Sequence, residues 1–210
     1  MDRIAQFLDV AVEEPRDARA VAERVSSILS LPGCKRIALS GGSTPPRVFQ
    51  ELANLGVRWN GAWVCPTDER QVDPHHPASN VGMLRAQIGN QGANIAALKA
   101  GARPAPFDLV WVGMGDDGHI ASLFPNMTTG ENHSFPCVLE VVPIPLPIEA
   151  PFARLTLNLA ALVATKQILL VVSGDAKRRL INRVLVDRPD LPVTRLLRAA
   201  RCPVSIYTLD

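Results

Sequence analysis

The chain has 210 residues, 47% of them hydrophobic and 20% charged, with a formal net charge of +2 at pH 7. That much apolar material excludes a disordered chain and suits one domain, 1–210, better than two small ones. A charge so near balance, with Lys and Arg scattered along the chain, excludes the concentrated basic stripe that nucleic acid requires.

No apolar run reaches the roughly 20 residues of a membrane span. The opening Met-Asp-Arg leads into no continuous apolar stretch of the signal-peptide kind, so no membrane partner is expected and the expected location is cytoplasmic. Cys34, Cys65, Cys137 and Cys202 are far apart. They are expected to be free, buried thiols of a reducing compartment, with neither disulfides nor a metal site.

Apolar positions at helical spacing predict a helix over 15–30, ended by Pro32-Gly33. A buried strand is expected at 36–40, then Leu39-Ser-Gly-Gly-Ser-Thr-Pro-Pro46 and a helix over 45–55. Glycines let the backbone approach a ligand closely, and a helix start offers free N–H groups and a favourable dipole. Ser40, Gly41, Gly42, Ser43 and Thr44 are therefore candidate phosphate contacts. No Gly-Lys-Ser/Thr follows, so this is not the nucleotide-triphosphate loop, and it lacks the dinucleotide fingerprint.

A strand at 62–66 delivers Thr67-Asp-Glu-Arg70 to the carboxyl end of the sheet, followed by a polar loop to Pro77. Open parallel sheets bind ligands at that end, and Arg70 can pair a phosphate bidentately. Adjacent His75 and His76, with Asp73, read as exposed loop residues because neighbouring side chains diverge. A helix over 79–88 opens on the capping residue Ser79.

The central strand is expected at 107–112 and enters Val112-Gly-Met-Gly-Asp-Asp-Gly-His-Ile-Ala-Ser-Leu-Phe-Pro125, with a short helix over 119–124. A histidine can take a proton from water near neutral pH, and a neighbouring carboxylate can fix its tautomer. His119 is the candidate base, and both Asp116 and Asp117 are placed to orient it. The N–H groups of Gly113, Gly115 and Gly118 are candidate oxyanion donors.

Further on come a strand at 137–142, a proline-rich extended connection over 143–151, and 155–158 leading into a helix that ends at 162. A strand at 167–172 precedes Ser173-Gly-Asp-Ala-Lys177 and a helix over 175–186. Lys177 at a helix start opposes the dipole, a local conflict that points to a nearby anion. A helix over 193–200 and a strand over 204–209 finish the chain. Alternating strands and helices predict an α/β fold, mostly parallel and covered on both faces.

These segments, in this order, resemble the short bacterial 6-phosphogluconolactonases of the glucosamine-6-phosphate isomerase/deaminase-like superfamily. The resemblance extends to Leu191-Pro-Val-Thr-Arg-Leu-Leu197 and Pro203-Val-Ser-Ile-Tyr207, and its most specific pieces are Gly113 to Pro125 and Asp68-Glu-Arg with Ser79-Asn-Val-Gly-Met83. It implies a modified doubly wound (Rossmann-like) sheet and hydrolysis of 6-phosphoglucono-δ-lactone with no metal and no organic cofactor. It also implies His119 as base, Asp117 as its orienting group and Asp68 beside the sugar ring. Arg70, Arg154, Lys177 and the Ser40 to Thr44 loop then become phosphate and substrate contacts. The expected partner is a small sugar-phosphate lactone, and the expected state a monomer or weak homodimer.

Two rivals are weighed. Glucosamine-6-phosphate deaminases place a Phe-Asn-Glu-Pro-type sequence soon after their histidine, whereas here Pro125 is followed by no acid until Glu131. A sugar-phosphate sensor with a DNA-binding module needs more than the one clear helix that residues 1–35 provide.

Overall fold

The computed structural model describes residues 10–13, 17–127, 135–148 and 150–210. In chain order its elements are β1 (Val10–Val12), α1 (Ala18–Leu29), β2 (Arg36–Leu39), α2 (Thr44–Asn54), β3 (Trp63–Pro66), β4 (Asp68–Arg70), α3 (Asn80–Ile88), β5 (Asn94–Ile95) and β6 (Leu109–Val112). They continue with β7 (Val138–Val141), β8 (Arg154–Leu157), α4 (Leu159–Val163), β9 (Ile168–Ser173), α5 (Asp175–Asp187), α6 (Pro192–Ala199) and β10 (Val204–Leu209).

Seven strands form one sheet in the order β1-β10-β9-β6-β2-β3-β5, every neighbouring pair parallel. Side chains of a strand alternate between faces, so a strand buried on both sides reads as a continuous apolar run. Ile37, Leu109, Trp111, Leu169 and Val171 accordingly join one core with α1, α2 and α3. Ala38, Val110, Val112, Leu170 and Val172 join a second core with α4, α5 and α6. This is the expected doubly wound α/β arrangement. Cutting one such side chain to alanine, Leu170→Ala for example, costs about 2–5 kcal/mol.

The order of strands also fixes where a ligand fits. From β2 the chain builds outward to β3 and β5, then returns to the other side of β2 with β6, β9 and β10. The reversal falls between β2 and β6, and the crevice beyond the carboxyl ends of strands at such a switch point is where open sheets hold ligands.

A second, three-stranded antiparallel sheet, β4-β8-β7, was not anticipated. The polar segment after Pro66 is a strand at its start: Thr67 donates its N–H to Leu39 O of the large sheet, and Leu157 N–H donates to Thr67 O. One extended segment thus passes from the first sheet into the second. Where 155–158 are expected to lead into a helix, Arg154–Leu157 form the central strand of this second sheet.

The short helix expected over 119–124 does not form. Ala121 sits at φ +48°, a left-handed conformation that a helix does not accommodate. The backbone N–H groups go elsewhere, His119 N–H to Asp117 and Ser122 N–H to Thr156 Oγ1. The first helix begins at Ala18 behind the capping residue Asp17, and the expected positions 15 and 16 lie outside the described residues.

Candidate active site

Four turns meet at the switch point, each at the carboxyl end of a neighbouring strand of the order β9-β6-β2-β3. They line one cavity of about 400 Å3, within the range of small-molecule sites.

The turn after β2 supplies Ser40, Gly41, Gly42, Ser43 and Thr44, all on the cavity wall. Gly42 has φ +96°, where glycine alone is unstrained. Ser43 is the N-cap of α2 and makes no side-chain capping bond. Pro45 and Pro46 remove two N–H groups from the first turn of α2. The donors this turn offers to the cavity are therefore the loop's own N–H groups and hydroxyls more than the helix end. Ser40 is buried, and its Oγ has no hydrogen-bond partner among the described residues.

Strand alternation sorts the next group. Asp68 and Arg70 project to the cavity side of β4, opposite Thr156 and Arg154 of β8. Glu69 points the other way. Its buried carboxylate accepts from Asn80 N–H (2.8 Å) and Val81 N–H (2.6 Å), fastening the start of α3. Ser79 Oγ completes that cap by accepting from Gly82 N–H (3.0 Å). Arg70 donates through Nη1 to Ala78 O and to Asn80 Oδ1, while its buried Nε–H has no partner among the described residues.

Asp68 is held by Ser122, whose hydroxyl donates to Oδ2 at 2.7 Å, and by Arg154 Nη1 at 3.7 Å. Arg154 also donates to Phe152 O and Ala150 O. Much of its guanidinium is thus occupied in pinning the connection between β7 and β8. Burial lowers the Arg154 pKa, Asp68 opposes that shift, and Arg70 adds to it. Lys177, in the first turn of α5, closes the cavity from the β9 side.

The turn after β6 holds His119. Its Nδ1 lies 2.6 Å from Asp117 Oδ1, which also accepts the His119 backbone N–H at 3.1 Å. Asp117, not Asp116, is therefore the orienting carboxylate. Burial alone would raise its pKa, but the hydrogen bonds from His119 outweigh burial and hold the carboxyl below its usual range. An ionised carboxylate accepts Nδ1–H, which leaves the lone pair on Nε2, an atom without a protein partner among the described residues. Phe124 packs on the imidazole at 4.7 Å between ring centroids.

The glycines of this turn correct an expectation. Gly115 N–H donates to His119 O and Gly118 N–H to Gly115 O, so neither is free for an oxyanion. Their roles are steric. A Cβ on Gly115 would stand 2.1 Å from His119 Cε1, and one on Gly118, at φ +84°, would stand 2.9 Å from Leu191 Cδ1. Gly118 and Asp117 do not line the cavity, whereas Gly113 and Gly115 do. Asn80 and Glu69, present in the sequence motif but not picked as site residues, and Ser122, not singled out, support the site: Asn80 and Ser122 hold Arg70 and Asp68, and Glu69 holds the start of α3.

No group of His, Cys, Asp and Glu among the described residues is placed to hold a metal ion. In the 73–78 loop Asp73 accepts from His75 N–H and His76 Nδ1 from Ala78 N–H. Among the described residues no helix is long and apolar enough to cross a membrane. All four cysteines are free, but only Cys137 is buried as expected; Cys65 and Cys202 are partly buried and Cys34 is exposed.

The fold and site define an α/β protein with a switch-point cleft for a small anionic ligand, facing an oriented imidazole. A family model described as glucosamine-6-phosphate isomerases/6-phosphogluconolactonase matches residues 15–105 and 91–204, and the chain belongs to that family. It is 31% identical over 212 residues to a 6-phosphogluconolactonase of Mesorhizobium japonicum, covering 90% of this chain and 88% of the relative. Against a 6-phosphogluconolactonase of Pseudomonas aeruginosa it is 33% identical over 220 residues, covering 94% and 91%. A solved 6-phosphogluconolactonase from Shewanella baltica superposes with a TM-score of 0.78 at 25% identity, over 96% of this chain and 97% of the other.

Proposed function

We propose that this chain is a 6-phosphogluconolactonase, a carboxylic ester hydrolase that converts 6-phospho-D-glucono-1,5-lactone to 6-phospho-D-gluconate in the cytoplasmic oxidative pentose phosphate pathway. One observation carries the reading: an imidazole oriented by Asp117 at 2.6 Å shares a cavity with Arg70, Arg154, Lys177 and a glycine-serine-threonine loop. The names of relatives at about a third identity over most of the chain support it.

A δ-lactone is an activated ester, so an oriented water, a base and an oxyanion donor suffice. His119 Nε2 takes a proton from water as its oxygen bonds to C1. The tetrahedral oxyanion then collapses, the bond from C1 to the ring oxygen breaks, and the imidazolium returns its proton to that oxygen. General-base help is worth on the order of 10²–10⁴-fold. Of the three turn glycines the proposal keeps Gly113 at the oxyanion, beside Ser40 Oγ, which lies 3.6 Å from where a Gly113 Cβ would stand. One such donor is worth on the order of 10²–10³-fold.

Arg70, Lys177 and the 40–44 loop hold the phosphate, whose binding energy orients the distant lactone carbonyl. Asp68 faces the sugar ring. Arg154 supports Asp68 and the adjoining connection. Every group in this scheme comes from one chain acting as a single domain, so the proposal is of a monomer or weak homodimer.

The test is an initial-rate assay on freshly generated phosphorylated lactone, fast enough to exceed spontaneous hydrolysis, beside the phosphate-free lactone. Rapid hydrolysis with preference for the phosphorylated form is expected. Ammonia release from glucosamine 6-phosphate, without lactone hydrolysis, would overturn the proposal in favour of a deaminase.

A further inference from the structure

Asn80, the first residue of α3, is buried to 3% exposure and touches three separate parts of the site. Its Nδ2 donates to Asp68 O at 2.6 Å. Its Oδ1 accepts from Arg70 Nη1 at 3.0 Å. The same amide lies against the loop after β2, where a Cβ on Gly41 would fall 1.9 Å from Oδ1 and 2.8 Å from Nδ2. Its own N–H is held by Glu69 Oε1.

The chemistry of these partners is restrictive. A guanidinium only donates and a peptide carbonyl only accepts, so the position requires an acceptor and a donor on one short planar group. Only a primary amide of this length provides both. A carboxylate would set an oxygen against Asp68 O and neutralise Arg70. An apolar side chain would leave a buried carbonyl and a guanidinium N–H without partners, a loss larger than that of an ordinary hydrogen bond.

We propose that Asn80 is a positioning residue that locks Arg70, the backbone of Asp68 and the Gly41 loop into one rigid anion cradle, and so sets the preference for phosphorylated over phosphate-free lactone. Arg70 is already tied on that side by Ala78 O. With Asn80 as the second tie, its remaining N–H groups keep a fixed direction toward the cavity that it lines. This inference rests on the reading of Arg70 as a phosphate ligand.

The test compares the wild-type chain with Asn80→Asp and Asn80→Ala, the first isosteric and the second adding no charge. Both substrates are assayed, and binding of inorganic phosphate is read from the shift in Tm. KM for the phosphorylated lactone should rise on the order of tenfold or more in both variants, in Asn80→Ala through loss of a charge-assisted hydrogen bond and in Asn80→Asp because the new carboxylate neutralises Arg70. kcat/KM for the phosphate-free lactone, whose ring the Asn80-bound Asp68 also faces, should fall by a clearly smaller factor than for the phosphorylated one, and the phosphate-induced Tm shift should shrink.

An equal fall in kcat/KM for both substrates would mark Asn80 as merely structural and overturn the proposal, as would an unchanged KM. Should Asn80→Asp fail to fold, Asn80→Ala decides on the same readouts. The phosphate shift separates the two readings. A wild-type chain without lactonase activity whose phosphate shift is lost on substituting Asn80 defeats the lactonase assignment and leaves the cradle standing. A wild-type lactonase whose variants keep the full shift defeats the cradle alone.

Discussion

Arg70 on β4 and Arg154 on β8 stand directly opposite each other in the antiparallel pair, and both line the cavity. Like charges in cross-strand register are destabilising, and a buried guanidinium pays for lost hydration as well. Asp68, 3.7 Å from Arg154, and the adjacent Glu69 offset part of this charge, while Lys177 adds a further positive charge on the cavity wall. An anion between these groups relieves the repulsion. Inorganic phosphate at a hundred times its Kd should stabilise the fold by about 2.7 kcal/mol, raising Tm by about 5–10 °C. Differential scanning fluorimetry checks this. Arg70→Ala should abolish the shift, and the ligand-free Tm should change little, relief of the repulsion offsetting the loss of its bonds to Ala78 O and Asn80 Oδ1. A full shift in that variant would remove Arg70 from the anion site.

Replacing His119 by alanine should lower kcat/KM by about 10²–10⁴-fold, the range for loss of a general base. The imidazole is about a third exposed and its side-chain hydrogen bond, to Asp117, lies within its own turn, so Tm should change little. Kinetics on the phosphorylated lactone, with a melting curve for each protein, separate the two effects. Retained turnover in a folded variant would mean that another group activates the water.

Two glycines near the site should respond oppositely to alanine. At Gly115 the new Cβ meets the His119 ring, whose Cε1 is 2.1 Å away. A side chain can move aside cheaply, so the fold survives while the imidazole leaves Asp117 and the rate falls by about 10²-fold or more. At Gly82 the Cβ meets the backbone oxygen of Pro74 at 2.1 Å, which cannot swing away. Gly82→Ala should cost about 1–3 kcal/mol of stability, with kcat retained in the protein that remains folded. Melting curves and initial rates on the two variants test the contrast.

The four turns were legible in the sequence because each joins a buried strand to a helix through glycines and hydroxyls, a pattern that local chemistry fixes. What escaped depended on partners distant in the chain. Asp68-Glu-Arg70 is polar at every position and shows no strand alternation in hydrophobicity, so its pairing with β8 had no local sign. Residues 119–124 have helical composition, yet Ser122 is claimed by Asp68 and Thr156, 54 and 34 residues away. The turn glycines were assigned free N–H groups because density of glycine suggests an anion nest. In fact the N–H groups of Gly115 and Gly118 close the turn on itself, and their missing side chains make room for His119 and Leu191. The choice between Asp116 and Asp117 depended on the shape of the turn, which brings Asp117 Oδ1 to both the ring and the N–H of His119 and which composition does not encode.

That choice has a consequence for pH. Burial raises the Asp117 carboxyl, but the hydrogen bonds from the His119 ring and N–H outweigh it, and the folded pKa lies below the ordinary carboxylate value. The unfolded chain therefore binds more protons than the folded one across that interval, and stability rises with pH there. The Asp117 contribution is complete above the ordinary carboxylate range and is lost as pH falls through the depressed folded value. Because the side chain is 50% exposed, solvent screening limits it to about 1 kcal/mol or less. Asp117→Asn removes the ionisable group, so the Tm advantage of the wild-type chain should be constant near neutrality and vanish in acid. The rate should behave differently. At pH 7 the amide no longer stabilises the imidazolium, and kcat should drop by at least about tenfold, toward the roughly 10⁴-fold known when an aspartate that orients a catalytic histidine becomes asparagine. Melting curves between pH 3 and 8, with kcat at neutral pH, measure both. A Tm difference that stays constant into acid would show that Asp117 is not held ionised by His119.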